Sequence, residues 1–117
     1  VLADSDDIPT LIFDEIDTGI SGRTAQKVAE KMQQVSKTKQ IICITHLPQI
    51  AAMADNHYMI EKISQKGRTK TAIRLLKRSD AIRDVARLMS GSQVTDVTVN
   101  AAREMKDMAD TYKSQNR

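Results

Sequence analysis

Thr10-Leu11-Ile12-Phe13-Asp14-Glu15 and Gln40-Ile41-Ile42-Cys43-Ile44-Thr45-His46 are the two stretches on which the architecture turns. Each is a short, unbroken apolar run that ends in polar residues, the pattern of a strand covered on both faces. Between them Ala25, Val28, Ala29, Met32 and Val35 recur at helical spacing. That spacing predicts a helix from about Thr24 to Val35, with Ser21 as its N-cap. Strand, helix and strand in so little sequence make a βαβ unit, so the strands are expected to be parallel with a right-handed crossover. Their polar ends then share the carboxyl edge of the sheet, where open α/β sheets bind ligands. Asp14, Glu15 and His46 are thereby expected at one rim, although they are far apart in sequence.

Beyond this unit, Leu47 to Ala54 reads as a short helix with Pro48 in its first turn. His57 to Ile63 and Thr69 to Leu76 are β-rich runs around a polar turn at Gly67, which predicts a hairpin. Asp80 is placed to cap a helix with Ile82, Val85, Ala86 and Met89 inward and Gly91 as its stop. A last helix from about Thr95 carries Ala101, Ala102, Met105, Met108 and Ala109 on one face, and the polar tail from Lys113 to Arg117 is expected to fray. The element order is therefore β-α-β-α-β-β-α-α.

Composition bounds what such a chain can be. Its 117 residues suffice for one small domain, with 40% apolar residues for a core and 28% charged residues for a solvated surface. Aromatics are only 3%, so the core must be built from aliphatic side chains and six methionines. A domain of this size is of modest stability, and if it is part of a larger protein it should expose an apolar face where the remainder docks. The net charge of +3 permits contact with nucleic acid without requiring it. The single Cys43 lies in an apolar run and reads as a buried hydrophobe; neither a disulfide framework nor metal-ligand spacing occurs, which fits a reducing cytoplasm. No apolar run is long enough to span a bilayer, and VLADSDD at the start has no secretory character. The absence of an initiator Met suggests an excised piece.

An apolar run closed by Asp-Glu is the Walker B pattern, in which one acid supports a magnesium ion and the next polarises an attacking water. Taken singly, such a run is as readily a buried strand ending in an acidic turn, and a lone histidine at a strand end is ordinarily just polar. Their joint placement at one edge is what points to metal-assisted phosphoryl chemistry.

LIFDEIDTGISG (11–22) and QIICITHLPQIA (40–51) together resemble the RecN family of bacterial DNA-repair proteins, SMC-like members of the ABC ATPase superfamily. The hairpin and ARLMSGSQVTDVTVNAAREM (86–105) resemble the end of those proteins, so the likeness runs from about Thr10 to Ala109. The resemblance implies an α/β fold: residues 1–117 as the C-terminal portion of a P-loop, ABC-type ATPase head. It implies Asp14 as the Walker B aspartate supporting Mg2+ through water, and Glu15 as the catalytic base or water-orienting group. Asp17 to Ser21 match the D-loop along a dimer interface, and His46 matches the switch histidine that contacts the γ-phosphate of ATP. Many ABC proteins end the D-loop in Asp, where this sequence has Ser21. The implied parent hydrolyses ATP in the cytoplasm, at the nucleoid, and acts on DNA double-strand breaks. Its implied partners are the N-terminal half of its own head, a second head and DNA, with no membrane.

No G-x-x-x-x-G-K-[ST] occurs, since the only glycines are Gly19, Gly22, Gly67 and Gly91. Without that loop's cradling N–H groups and lysine, the chain alone is expected to bind nucleotide very weakly and to be inactive. Leu88 to Gln93 (LMSGSQ) has a superficial likeness to the ABC signature, but it follows Walker B instead of preceding it, and Gly91 is better explained as a helix stop. Two other readings stand beside this one: a non-catalytic dimerisation or docking module, and a head fragment of another SMC or ABC ATPase. Lys62, Lys66, Arg68, Lys70, Arg74, Lys77 and Arg78 make the hairpin region basic. A solvated edge that discourages strand pairing is the first reading of that charge, and a DNA-contacting surface the second. The methionines at helical spacing read as core filler, and His57 as structural.

Overall fold

The computed structural model describes residues 9–14, 22–91 and 93–116. Strand β1 (Thr10–Asp14) pairs in parallel with β2 (Gln40–Ile44), Ile12 opposite Ile42 and Asp14 opposite Ile44. Helix α1 (Gly22–Val35) connects them, starting two residues before the expected Thr24. Ser21, its expected cap, lies outside the described residues.

The short helix α2 (Pro48–Met53) is the centre of the packing. Ile50, Ala51, Ala52 and Met53 are all buried. On one side Ala51 and Ala52 meet Ile82, Val85 and Ala86 of α3 (Arg78–Ser90) and Ala102 of α4 (Asp96–Gln115). On the other, Ile50 and Met53 meet Ala29 of α1 and Ala109 of α4, with Cys43 and Leu47 packed alongside. Alanine dominates the first cluster, which lets α2, α3 and α4 approach closely, while Tyr112 of α4 helps to fill the second.

The hairpin of β3 (Tyr58–Gln65) and β4 (Arg68–Leu75) is longer at its tip than expected. Lys66 and Gly67 both have positive φ, 49° and 74°. A two-residue loop of that kind matches the strand twist and lets the ladder run to the turn. The strands pack chiefly on each other, and Leu76 extends the ladder by donating its N–H to the His57 carbonyl at 2.9 Å.

Holding Leu76 in this way keeps the chain extended as far as Lys77, which is the N-cap of α3 in place of Asp80. Asp80 stands in the first turn, where a carboxylate still complements the helix dipole. Gly91, at φ 77°, ends α3 as expected. Thr95 caps α4, its hydroxyl accepting from the Thr98 N–H at 3.2 Å. The last helix runs to Gln115, past Lys113, whose ammonium lies 3.0 Å from Asp55.

The structure corrects three expectations about burial. The parallel strands are covered on one face only: Ile12, Ile42 and Ile44 are 68%, 46% and 42% exposed. Covering the second face takes an element that the described residues do not supply. Cys43 is half-buried, on the face turned toward α1. Met89 and Met108 do not point inward, being 38% and 66% exposed. The inner stripe of α4 is instead Ala102, Lys106 and Ala109.

Candidate functional site

The chemistry-bearing residues of the βαβ unit follow from its register. Asp14 is the last residue of β1 and lies opposite Ile44, the last residue of β2. The chain then runs through Thr45 and His46, so Asp14 and His46 stand at the same carboxyl end of the parallel pair. Thr45 Oγ1 accepts the Leu47 N–H at 3.0 Å, turning the backbone from the strand into α2. Pro48, lacking an N–H, starts that helix where none is needed. Both Asp14 and His46 are exposed at this edge. Glu15, Asp17 and Ser21 lie outside the described residues.

Among the described residues no group of three or more His, Cys, Asp or Glu side chains is placed to hold a metal ion. Magnesium bound to a nucleotide does not demand such a cage. It keeps several waters, takes phosphate oxygens, and uses only one or two protein carboxylates. An exposed aspartate at a strand end fits that requirement, and Asp14 is one.

Two open clefts occur elsewhere, and neither is lined by Asp14 or His46. One, of about 510 Å³, runs among α1, α2 and α4 and is lined by Met53, Met89, Met105 and Met108 with Arg23 and Glu104. The other, of about 560 Å³, is polar and includes Lys37, Asp55, Asp110 and Lys113.

The element that follows His46 is anchored by a residue that sequence reasoning missed. Lys106 of α4 is buried and donates to the carbonyls of Ala52 and Ala54, at 3.0 and 2.9 Å. These are the orphan acceptors at the carboxyl end of α2, which has no further turn to satisfy them. Burial, then the nearby Lys113 charge, lowers the pKa of the Lys106 ammonium. The signal was available: Lys106 falls four residues from Ala102 and three from Ala109, on the apolar stripe of α4. Beside it, burial pushes the Asp110 carboxyl upward, but the Arg78 hydrogen bond and the Lys106, Arg78 and Lys113 charges outweigh this and hold it below its ordinary value.

His57 finds a partner that the sequence did not name. Its Nε2 lies 2.8 Å from Asp84 Oδ2, and Arg87 donates to the other carboxylate oxygen at 2.7 and 2.9 Å. Asp84 is only 7% exposed, so this cluster neutralises a buried charge and fastens the hairpin to α3. It bears out the structural reading of His57.

Among solved structures the fold is shared with one from work on the structural biochemistry of ATP-driven dimerization and DNA stimulated activation of SMC ATPases. That match has a TM-score of 0.55 at 24% identity and covers 75% of this chain and 52% of the other. That likeness is one of fold, over part of the other chain. Sequence relatives narrow this further. The chain is 44% identical over 114 residues to the DNA repair protein RecN of Bacillus subtilis, covering 97% of the chain and 20% of that protein. It is 44% identical to RecN of Halalkalibacterium halodurans and 40% identical to RecN of Haemophilus influenzae, each over 91% of the chain and 19% of the relative. No family model matches the chain. The chain is a homologue of RecN across nearly all of its length and spans about a fifth of the length of these relatives.

Proposed function

We propose that residues 1–117 form the C-terminal portion of an SMC-like ATPase head, whose nucleotide site is completed by polypeptide outside this chain. The observation that carries this reading is the parallel register of β1 and β2, with Asp14 and His46 at one end of the pair. The RecN likeness supports it independently.

In the complete site Asp14 holds the water shell of the cation. Glu15 orients the attacking water and takes its proton, and His46 donates a hydrogen bond to the terminal phosphate as charge develops there. Magnesium, when bound, neutralises charge on the β- and γ-phosphates of ATP. Asp17 and Ser21, in the D-loop, line the contact between two heads, so that each nucleotide site senses the other. The whole protein is then a cytoplasmic, nucleoid-associated ATPase that pairs its heads on ATP and acts on DNA double-strand breaks. The chain by itself, without a phosphate loop, is a docking component of that machine and not a catalyst.

The test is Glu15→Gln in the complete protein. Removing the base while keeping the shape is expected to slow hydrolysis roughly 100- to 10,000-fold with ATP affinity retained. His46→Ala is expected to lower turnover by roughly 100-fold, the order seen when one charge-stabilising donor is lost. Normal turnover by the Glu15 variant removes that residue from its role.

A further inference from the structure

The hairpin carries two separate surfaces along its length. Its base is apolar on one face: Tyr58 lies opposite Leu75 and Ile60 opposite Ile73, and all four are more than half exposed. Its distal half, residues 62–71, reads KISQKGRTKT and contains four cations and no acid. Lys62, Lys66, Arg68 and Lys70 are exposed there, and among the described residues none of them forms an ion pair. The basic residues nearer the helices are engaged differently. Arg74 is paired with Glu61 at 3.3 Å, and Arg78 bridges Asp107 and Asp110, each at 2.6 Å.

This distribution decides between the two readings of the basic hairpin. Charges that guard a strand against aggregation belong beside its apolar residues. Here no charge stands among Tyr58, Ile60, Ile73 and Leu75. Farther out, Lys62 (opposite Thr71) continues that face, Lys70 (opposite Ile63) and Arg68 (opposite Gln65) lie on the other, and Lys66 is in the turn, so the cations surround the tip. At roughly 3.3 Å per residue, the segment from Lys62 to the turn is about 10 Å long. Duplex DNA presents one phosphate charge per roughly 1.7 Å of axis, so several phosphates fall within the reach of these side chains. A two-stranded antiparallel ribbon also has the width to enter the major groove.

We propose that the tip of this hairpin is a contact for the phosphate backbone of duplex DNA, made by Lys62, Lys66, Arg68 and Lys70. It rests on the reading of the parent as a DNA-acting protein and names the surface by which this segment takes part. The contact is to phosphates, so it is salt-dependent and indifferent to base sequence.

The experiment measures binding of the complete protein to a random-sequence duplex by fluorescence anisotropy across a salt series. Replacing all four cations with Ala is expected to weaken binding at least tenfold and to flatten the log K against log salt slope by about 4, near one unit per phosphate contact. Lys66→Glu alone, at an exposed turn, is expected to act in the same direction, while the Lys-to-Arg versions of Lys62, Lys66 and Lys70 keep both affinity and slope. A charge-matched control replacing Lys27, Lys31, Lys37 and Lys39 leaves the slope unchanged, as does basal ATP turnover in the hairpin variants. DNA binding with the same affinity and slope after loss of the four cations overturns the hairpin contact and leaves the parent's DNA role standing. An unchanged slope together with weakened head pairing assigns the cations to a protein surface and likewise overturns the contact. Absence of any DNA binding by the unaltered protein removes both.

Discussion

Lys106 shows how one side chain can decide the geometry of a site it does not enter. Its ammonium closes the last carbonyls of α2, the helix that begins two residues after His46. Lys106→Met keeps the stem's apolar packing but removes both bonds, leaving the Ala52 carbonyl without this donor and the Ala54 carbonyl with only the longer bond from Lys113 at 3.4 Å, so stability at pH 7 is expected to fall by about 1–3 kcal/mol. The pH dependence has a definite sign. Burial lowers the folded-state pKa of Lys106 below its ordinary 10.5. Between those two values the unfolded chain therefore binds more protons than the folded one, and stability rises with pH across that window. Denaturation series up to pH 10.5 should show this alkaline rise in the parent chain and its loss in the Met variant. A Met variant with the same rise would assign it elsewhere. The sequence shows Lys106 on the apolar stripe of α4, but a lysine on a helix reads as solvated, and only the packing of α4 across α2 shows what it caps. His57 was opaque for a related reason: Asp84, its partner, lies 27 residues away.

At the scale of elements, the two strands were legible because a short apolar run closed by polar residues suits a buried strand and little else. The crossover helix and the tight hairpin turn followed from spacing and from Gly67. What the runs could not tell was how many faces are covered here, since burial on the second face depends on atoms beyond these residues. Ile12 and Ile42 face each other across the register on the bare side. Ile12→Ser with Ile42→Ser should change the stability of the 117-residue chain by no more than about 0.5 kcal/mol per site, the usual range for exposed positions. In the complete protein the same pair is expected to cost about 1.5–3 kcal/mol for each side chain that becomes buried. Denaturant midpoints of both forms check this. Equal, small effects in the two would show that the face stays bare. Asp80 and the outward methionines taught the same lesson at shorter range. A helix start is fixed by the strand before it, and a helix face by which neighbours arrive.

For the whole molecule, the chain matches RecN relatives over about a fifth of their length and shares its fold with part of a structure from work on SMC ATPases. Its core gathers around α2, its parallel sheet has an uncovered face, and Asp14 and His46 at the carboxyl end of that sheet are exposed. The candidate site was readable from sequence at Asp14 and His46, because strand ends in a parallel unit must coincide. Glu15, Asp17 and Ser21 keep their proposed roles from the motif alone. The most direct measurement uses the complete protein with labelled histidine, the His46 signal being assigned by its disappearance in His46→Gln. Mn2+-ATP is added, so that a paramagnetic ion sits where Mg2+ would. Strong broadening of the His46 ring signals, reversed on replacing Mn2+ with Mg2+, is expected if this strand edge faces the nucleotide's metal. A sharp, unshifted His46 signal in protein saturated with Mn2+-ATP would contradict it.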